Sequence, residues 1–309
     1  MGPGRLGARP TLGRPCGHRW PLHSGPHPVS ASVASLPMGL RTCSIARDGF
    51  DVGHLRQARE AGFELVELSF NRPAQGISFD DQVKAEALRT EAEALGITFV
   101  SHAPDEFWLS NPDRAELAET IRAAERVVQG ASMYGARAMV IHCCPGKAVV
   151  PGRAAEQLDA VGHALESLAP ACERGGVRLA AETMIPGRVT SSVENLITAV
   201  ERVDSPWVGI CVDTNHANLS QDLNDAVRLA GSRIVEFHLN DNHFVKEEHL
   251  LPYAGAIDWA AFARAVVSID YEGYMIMEPG GQYGDGTDLL TAAHEAADRL
   301  AQDLAVASE

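Results

Sequence analysis

The chain has 309 residues, a formal net charge of −15, 45% hydrophobic residues and 22% charged residues. This length suits one large α/β barrel or two ordinary domains, and the composition is that of a globular protein. No apolar run approaches the roughly 20 residues of a membrane span, which excludes a membrane-spanning helix.

The charge is unevenly distributed. Residues 1–37 hold Arg5, Arg9, Arg14 and Arg19 and no acid, so the remainder carries 22 basic and 41 acidic residues, a formal −19. Such a body repels polyanions at long range, which argues against nucleic acid as a partner. The six cysteines, Cys16, Cys43, Cys143, Cys144, Cys172 and Cys211, are scattered and form no C-x-x-C. With no secretory signal, they read as reduced thiols of a cytoplasmic protein.

Residues 1–37 are rich in Gly, Pro, Arg and Ser and show no hydrophobic period. They read as a disordered or non-native extension, with one domain over 38–309. From Leu40 a strand–helix unit recurs. Strands are expected at 40–46, 63–70, 97–104, 136–146, 177–184, 208–212, 234–241 and 274–281. Helices are expected at 51–62, 79–96, 114–135, 154–175, 191–203, 222–231, 258–269 and 287–306. Gly62, Gly96, Gly135 and Gly231 stand where four of these helices stop. Eight such units with near-continuous hydrophobic strands predict an α/β fold, a single closed (β/α)₈ barrel. No G-x-G-x-x-G follows the first strand, so nothing supports a dinucleotide-binding open sheet.

Active sites of such barrels lie at the C-terminal ends of the strands. The third strand ends in His102, the fourth in His142 and the fifth in Glu182. The sixth ends in Asp213 and His216, the seventh in His238 and the eighth in Glu278. The loop after the seventh adds Glu247 and His249. Five of the nine histidines outside the extension fall in this set. One histidine alone reads best as a structural residue, but the set reads as a metal centre. Glu182, Asp213, His238 and Glu278 form a four-ligand group whose carboxylates suit Mn²⁺, Mg²⁺ or Co²⁺, with Zn²⁺ also able to bind. His102 and His142 could form a second site sharing Glu182, and His216, Glu247 and His249 a third, which would favour zinc.

Weaker signals surround this set. The loop 279–288 is glycine-rich and contains Asp285 and Asp288, but no Lys or Arg. It reads as a lid or plain loop, which favours a bare sugar over a sugar phosphate. Arg188, Lys147 and Lys246 lie in rim loops, where each reads as an ordinary solvated charge or as a candidate contact for an anionic substrate. Phe107 and Trp108 read equally as pocket wall or core. Asp258 and Trp259 read as a helix cap and a packing residue.

The segments 101-SHAP-104, 141-IHCCPG-146, 181-AET-183, 211-CVDTNHAN-218, 237-FHLNDN-242, 248-EHLLPYAGAIDW-259 and 277-MEP-279 resemble the xylose isomerase-like TIM barrel superfamily. The resemblance spans about Leu40 to Val306. It includes sugar-phosphate isomerases and epimerases, keto-inositol dehydratases and the endonuclease IV class. Resemblance to the epimerases implies one divalent metal on Glu182, Asp213, His238 and Glu278. Glu182 and Glu278 would be the acid/base pair, and His216, His102, His142 and Arg188 would face a sugar or polyol. Proton transfer would pass through a metal-stabilised enediolate. Resemblance to endonuclease IV implies up to three zinc ions, the extra two on His102 and His142 with Glu182, and on His216, Glu247 and His249. Here Glu247 stands where that class has Asp, and 184-MIPGR-188 replaces its Ala-Gly-Gln-Gly. The expected function is therefore a metal-dependent sugar isomerase or epimerase. An abasic-site phosphodiesterase and a keto-polyol dehydratase are the alternatives, and a homo-oligomer is left open.

Overall fold

A computed structural model describes residues 36–309 except 145, 147, 148 and 284–286. The Arg-rich extension therefore falls outside the described residues up to position 35, and Lys147 and Asp285 fall outside them too. Leu36 packs against the core, immediately before the first strand.

Eight parallel strands close a barrel in sequence order: β1 (Met38–Arg41), β2 (Leu65–Ser69), β3 (Thr98–His102), β4 (Ala138–Ile141), β5 (Arg178–Glu182), β6 (Val208–Asp213), β7 (Ile234–Leu239) and β8 (Tyr274–Met277). β8 pairs with β1 to complete the ring. Parallel neighbours need crossover helices, and the main ones are α2 (Val52–Glu60), α3 (Gln82–Leu95), α4 (Arg114–Tyr134), α5 (Ala154–Gly175), α6 (Val193–Glu201), α8 (Leu223–Ala230) and α9 (Trp259–Val267), with α10 (Thr287–Ala307) following the last strand. Two further short helices, α1 (Thr42–Ile45) and α7 (Thr214–Ser220), leave strand ends directly. The expected (β/α)₈ barrel is thus the observed fold. No helix among the described residues is long and apolar enough to cross a membrane.

Local chemistry sets the boundaries. Asp51, Asp81, Asp113, Ser192, Asp222 and Asp258 each accept a backbone N–H at a helix start. Gly96 and Gly135 end α3 and α4 at φ 70° and 78°, the left-handed cap that glycine adopts without a Cβ clash.

The expected strands were too long at their C-terminal ends. The run 40–46 turns into α1 after Arg41, and 136–146 leaves the sheet after Ile141. Beyond these points Thr42 Oγ1 accepts the Ser69 N–H and His142 Nε2 lies 2.8 Å from Glu182 Oε2. The helix α7 was not expected, because its seven residues carry no helical period.

Side chains from the strands make two cores. The larger one lies between sheet and helices. A smaller one, of Leu65, Val100, Ala138, Val140, Ala180, Cys211, Val235 and Ile276, fills the barrel interior. The polar residues on the same strands lie above it.

Candidate metal centre

Strand periodicity builds the site. Successive inward positions are two residues apart, so the strands that place Ala180, Cys211 and Ile276 in the inner core place Glu182, Asp213 and Glu278 one layer higher. Glu182, Asp213, His238 and Glu278 are at most 5% exposed, and one ligand atom from each lies within 4.8 Å of the others. They come from four consecutive strands or strand ends, as the spacing suggested.

Hydrogen bonds fix each group. Asp213 caps α7 by accepting the His216 N–H at 2.8 Å, and it also accepts from Asn240 Nδ2 at 2.9 Å. The cap directs His216 back toward β5. There His216 Nδ1 sits 2.8 Å from the Thr183 carbonyl, which makes Nδ1 the N–H donor and leaves Nε2 facing Glu247 at 3.2 Å. His238 Nδ1 is 3.1 Å from Glu182 Oε1 and 3.4 Å from Glu278 Oε2. Its Nε2 turns the other way, 3.1 Å from Glu67 Oε2.

Two satellite groups flank the centre. His216, Glu247 and His249 come together as expected, with His249 Nε2 2.8 Å from Glu247 Oε1. His102 and His142 form a ligand-sized group with Asp105, a residue the sequence reading did not single out. Glu182 still touches this pair, at 2.8 Å from His142 Nε2 and 3.5 Å from His102 Nε2.

Arg188 lies in the loop between β5 and α6. Its buried Nε has no hydrogen-bond partner among the described residues, and its carbonyl accepts from Ser191. Phe107 belongs to the main core, Trp108 is half-buried and Asp288 is exposed. Trp259 donates to Asp241 at 2.8 Å, and Asp241 also accepts the Asn242 and Ile257 N–H groups, so 237-FHLNDN-242 is partly a loop staple. The described part of 279–288 holds the neighbouring loop: Gly280 N–H and Gln282 Nε2 both donate to the His249 carbonyl.

Three buried ionisable residues were missed: Arg41, Glu67 and Glu236. Arg41 Nη1 lies 2.6 Å from Glu278 Oε1 and its Nε 2.9 Å from Glu67 Oε1. Glu67 and Glu236 interrupt apolar strands at inward positions, which attention to strand ends passes over, and Arg41 closes β1 five residues before the strand end expected at 46.

The electrostatics follow from burial and crowding. Glu67, Glu182, Asp213, Glu236 and Glu278 are all buried, and Arg41 is the one buried Lys or Arg among the described residues. Burial pushes the Glu182 carboxyl up, but His238 and His142 outweigh it and hold it well below the usual range. Burial likewise raises Glu278, and Arg41 and His238 reverse this, leaving it at about 2. Glu236 rises to about 8, chiefly from burial. For His216, burial opposes the charge, but Asp213 and Glu247 lift the imidazole to about 10. Three buried carboxylates and an imidazole converging with too few cations are the donor set of a hard divalent ion, so the residues present fit one.

Comparisons with known proteins agree with this architecture. Residues 55–303 match the family model described as xylose isomerase-like TIM barrel. The D-psicose 3-epimerase of Ruminiclostridium cellulolyticum is 23% identical over 267 residues, covering 81% of this chain and 86% of that protein. Two other curated matches are local, the chain spanning 32% and 40% of those relatives' own length. One of them is the D-psicose 3-epimerase of Enterocloster bolteae, 32% identical over 127 residues and 39% of this chain. A crystal structure of a D-tagatose 3-epimerase-like protein superposes with a TM-score of 0.75 at 18% identity, covering 88% of this chain and 99% of that one. The model match takes in most of the barrel and every residue of the candidate centre, and on that ground the chain belongs to the xylose isomerase-like TIM barrel family.

Proposed function

We propose that this protein is a divalent-metal-dependent sugar epimerase or isomerase acting on a small ketose in the cytoplasm. The observation that carries the reading is the convergence of Glu182, Asp213, His238 and Glu278, three carboxylates and one imidazole, buried at the top of the barrel. Relatives named as D-psicose and L-ribulose 3-epimerases support it. The five described cysteines are free thiols, which fits a reducing compartment.

Glu182, Asp213, His238 and Glu278 would hold the ion, with Mn²⁺, Mg²⁺ or Co²⁺ preferred for this oxygen-rich set. Bound there, the ion supplies Lewis acidity, stabilising the negative charge that builds on the substrate's oxygens as a carbon-bound proton leaves. Glu182 and Glu278 stand on different strands and serve as the proton-transfer pair: one takes the proton from the carbon beside the carbonyl, and the other returns one to the opposite face. His216, held by Nδ1 on the Thr183 carbonyl, presents Nε2 toward the cavity side where Glu247 lies and binds a substrate hydroxyl. His102, His142 and Arg188 are assigned to substrate contacts around it.

A second reading has one observation in its favour. The satellite groups His102–Asp105–His142 and His216–Glu247–His249 have the size of metal sites, as a three-zinc phosphodiesterase requires. Against it stands the formal −19 of residues 38–309, which repels a DNA backbone.

Elemental analysis of protein purified without chelators, followed by a ketose panel in deuterated water, tests the assignment. About one manganese, magnesium or cobalt per chain with deuterium entering a ketose C–H bond is the expected result. About three zinc ions per chain with nicking of abasic duplex DNA would overturn it, and release of water from a keto-polyol would move it to the lyases.

A further inference from the structure

Arg41 reaches three of the four proposed ligands by three separate routes. Directly, its Nη1 lies 2.6 Å from Glu278 Oε1. Through a carboxylate, its Nε lies 2.9 Å from Glu67 Oε1, and Glu67 Oε2 lies 3.1 Å from His238 Nε2. Around the rim, its Nη2 donates to Asn71 Oδ1 at 2.8 Å, and Asn71 Nδ2 donates to Asp105 Oδ1 at 2.9 Å. Asp105 Oδ1 lies 3.4 Å from His142 Nδ1, whose Nε2 is 2.8 Å from Glu182 Oε2.

The chemistry of each branch is one that orients ligands. A metal-binding histidine is fixed by a carboxylate on its other nitrogen, the place Glu67 takes at His238. A ligating carboxylate is held by a cation against its second oxygen, the place Arg41 takes at Glu278 as an ion pair. Its Oε2 is then turned to His238 Nδ1 and Asn240 Nδ2. One planar guanidinium sits against two carboxylates as an ion pair and donates to Asn71 Oδ1, a delocalised charge over three partners that a compact lysine ammonium on a flexible stem does not reproduce. Arg41 is 6% exposed, so this geometry is held by the barrel and not by solvent.

We propose that Arg41 is a positioning residue for the metal centre, holding Glu278 directly, His238 through Glu67, and Glu182 through Asn71, Asp105 and His142. The assignment rests on the metal-centre reading above and adds residues on β1 and β2 to it. It also gives the buried charge on β1 a use that the proton-transfer steps do not.

Mn²⁺ alone is the probe. Its dissociation constant is measured by electron paramagnetic resonance on metal-free wild type, Arg41→Lys, Glu67→Gln and Asn71→Ala, with circular dichroism melts as the folding control. Ketose turnover is then split into kcat and KM at saturating Mn²⁺. Outer-shell changes of this kind weaken metal binding or activity about 10–100-fold. Folded Arg41→Lys is therefore expected to bind Mn²⁺ at least about tenfold more weakly and to lose kcat, while KM stays within about threefold. Glu67→Gln and Asn71→Ala each reproduce part of the affinity loss.

A folded Arg41→Lys with wild-type Mn²⁺ affinity and kcat overturns the assignment, as does a variant that only melts lower with affinity unchanged. If Arg41→Lys does not fold, the other two variants decide: weakened Mn²⁺ binding supports the assignment, and unchanged binding in both overturns it. Wild type that binds Mn²⁺ but epimerises no ketose refutes the functional reading alone, and the affinities still decide Arg41. Wild type that binds no Mn²⁺ refutes both.

Discussion

The floor of the barrel interior and its upper layer are built by the same strands, two residues apart, under opposite rules. Leu65, Val100, Val140, Ala180, Cys211 and Ile276 pack the floor with small and branched apolar groups. Two positions further along each strand stand Glu67, His102, His142, Glu182, Asp213 and Glu278. The floor gains by excluding water, whereas the layer above it holds charges that burial penalises and that need a cation or one another. The alternation of a β-strand thus carries the phase of the core directly into the site. Apolar packing sets the first layer and paired charge the second.

The sharpest way to break this division is at the carboxylates. Glu182→Gln and Glu278→Gln are expected to reduce ketose turnover by about 10²–10⁴-fold or more, the usual contribution of a positioned acid or base, while the fold survives. Turnover assays paired with thermal melts check this, and near-wild-type activity in either variant removes that residue from the proton-transfer pair. Stripping the ion with a chelator is next. Turnover is expected to vanish and return with Mn²⁺, and the melting temperature to fall, because an ion at a hundred times its dissociation constant adds about 2.7 kcal/mol.

A change in the floor should do the reverse. Ile276→Ala removes a fully buried side chain and is expected to cost about 2–5 kcal/mol in urea unfolding while kcat of the surviving protein moves little. A large kcat loss at unchanged stability would show that the two layers are not separable.

The pH response of the metal-free protein is smaller. His216 is lifted from 6.5 to about 10 by Asp213 and Glu247 against the opposing effect of burial. A raised folded value stabilises the fold fully below 6.5, and this contribution drains away as pH rises through about 10. Urea midpoints of the metal-free protein should therefore fall across that window. His216→Asn should flatten the slope.

The smallest effect is expected at Glu247, which is partly exposed and bonded to His216 and His249. Glu247→Ala should lower turnover less than about tenfold if one ion does the chemistry. Abolished activity would point to a working third site.

Much of this was legible from the sequence because the signals are periodic. Alternating runs and glycine stops gave the eight units, and acidic or imidazole side chains at strand ends picked out the four residues that converge at the proposed centre. What escaped was set by tertiary contacts. Glu67 and Glu236 sit inside short strands whose apolar neighbours dominate the pattern, Arg41 ends a strand that was expected to continue, and only barrel closure brings β1 against β8 and Arg41 to Glu278. Asp105 is one of several acids in a loop until folding sets it beside His142. The helix α7 depends on a single cap, and no periodicity announces it.

That cap bears on how the protein can change over generations. Asp213 stands among the four proposed ligands and also starts α7, so a substitution there is tested twice, once by the ion and once by the helix. A descendant that gave up metal chemistry would still be confined at this position to Asp, Asn, Ser or Thr, the residues that cap a helix well. An acid or its near-isosteres at the end of β6 would then persist as a fossil of the site, and a survey of inactive relatives should read it as scaffold.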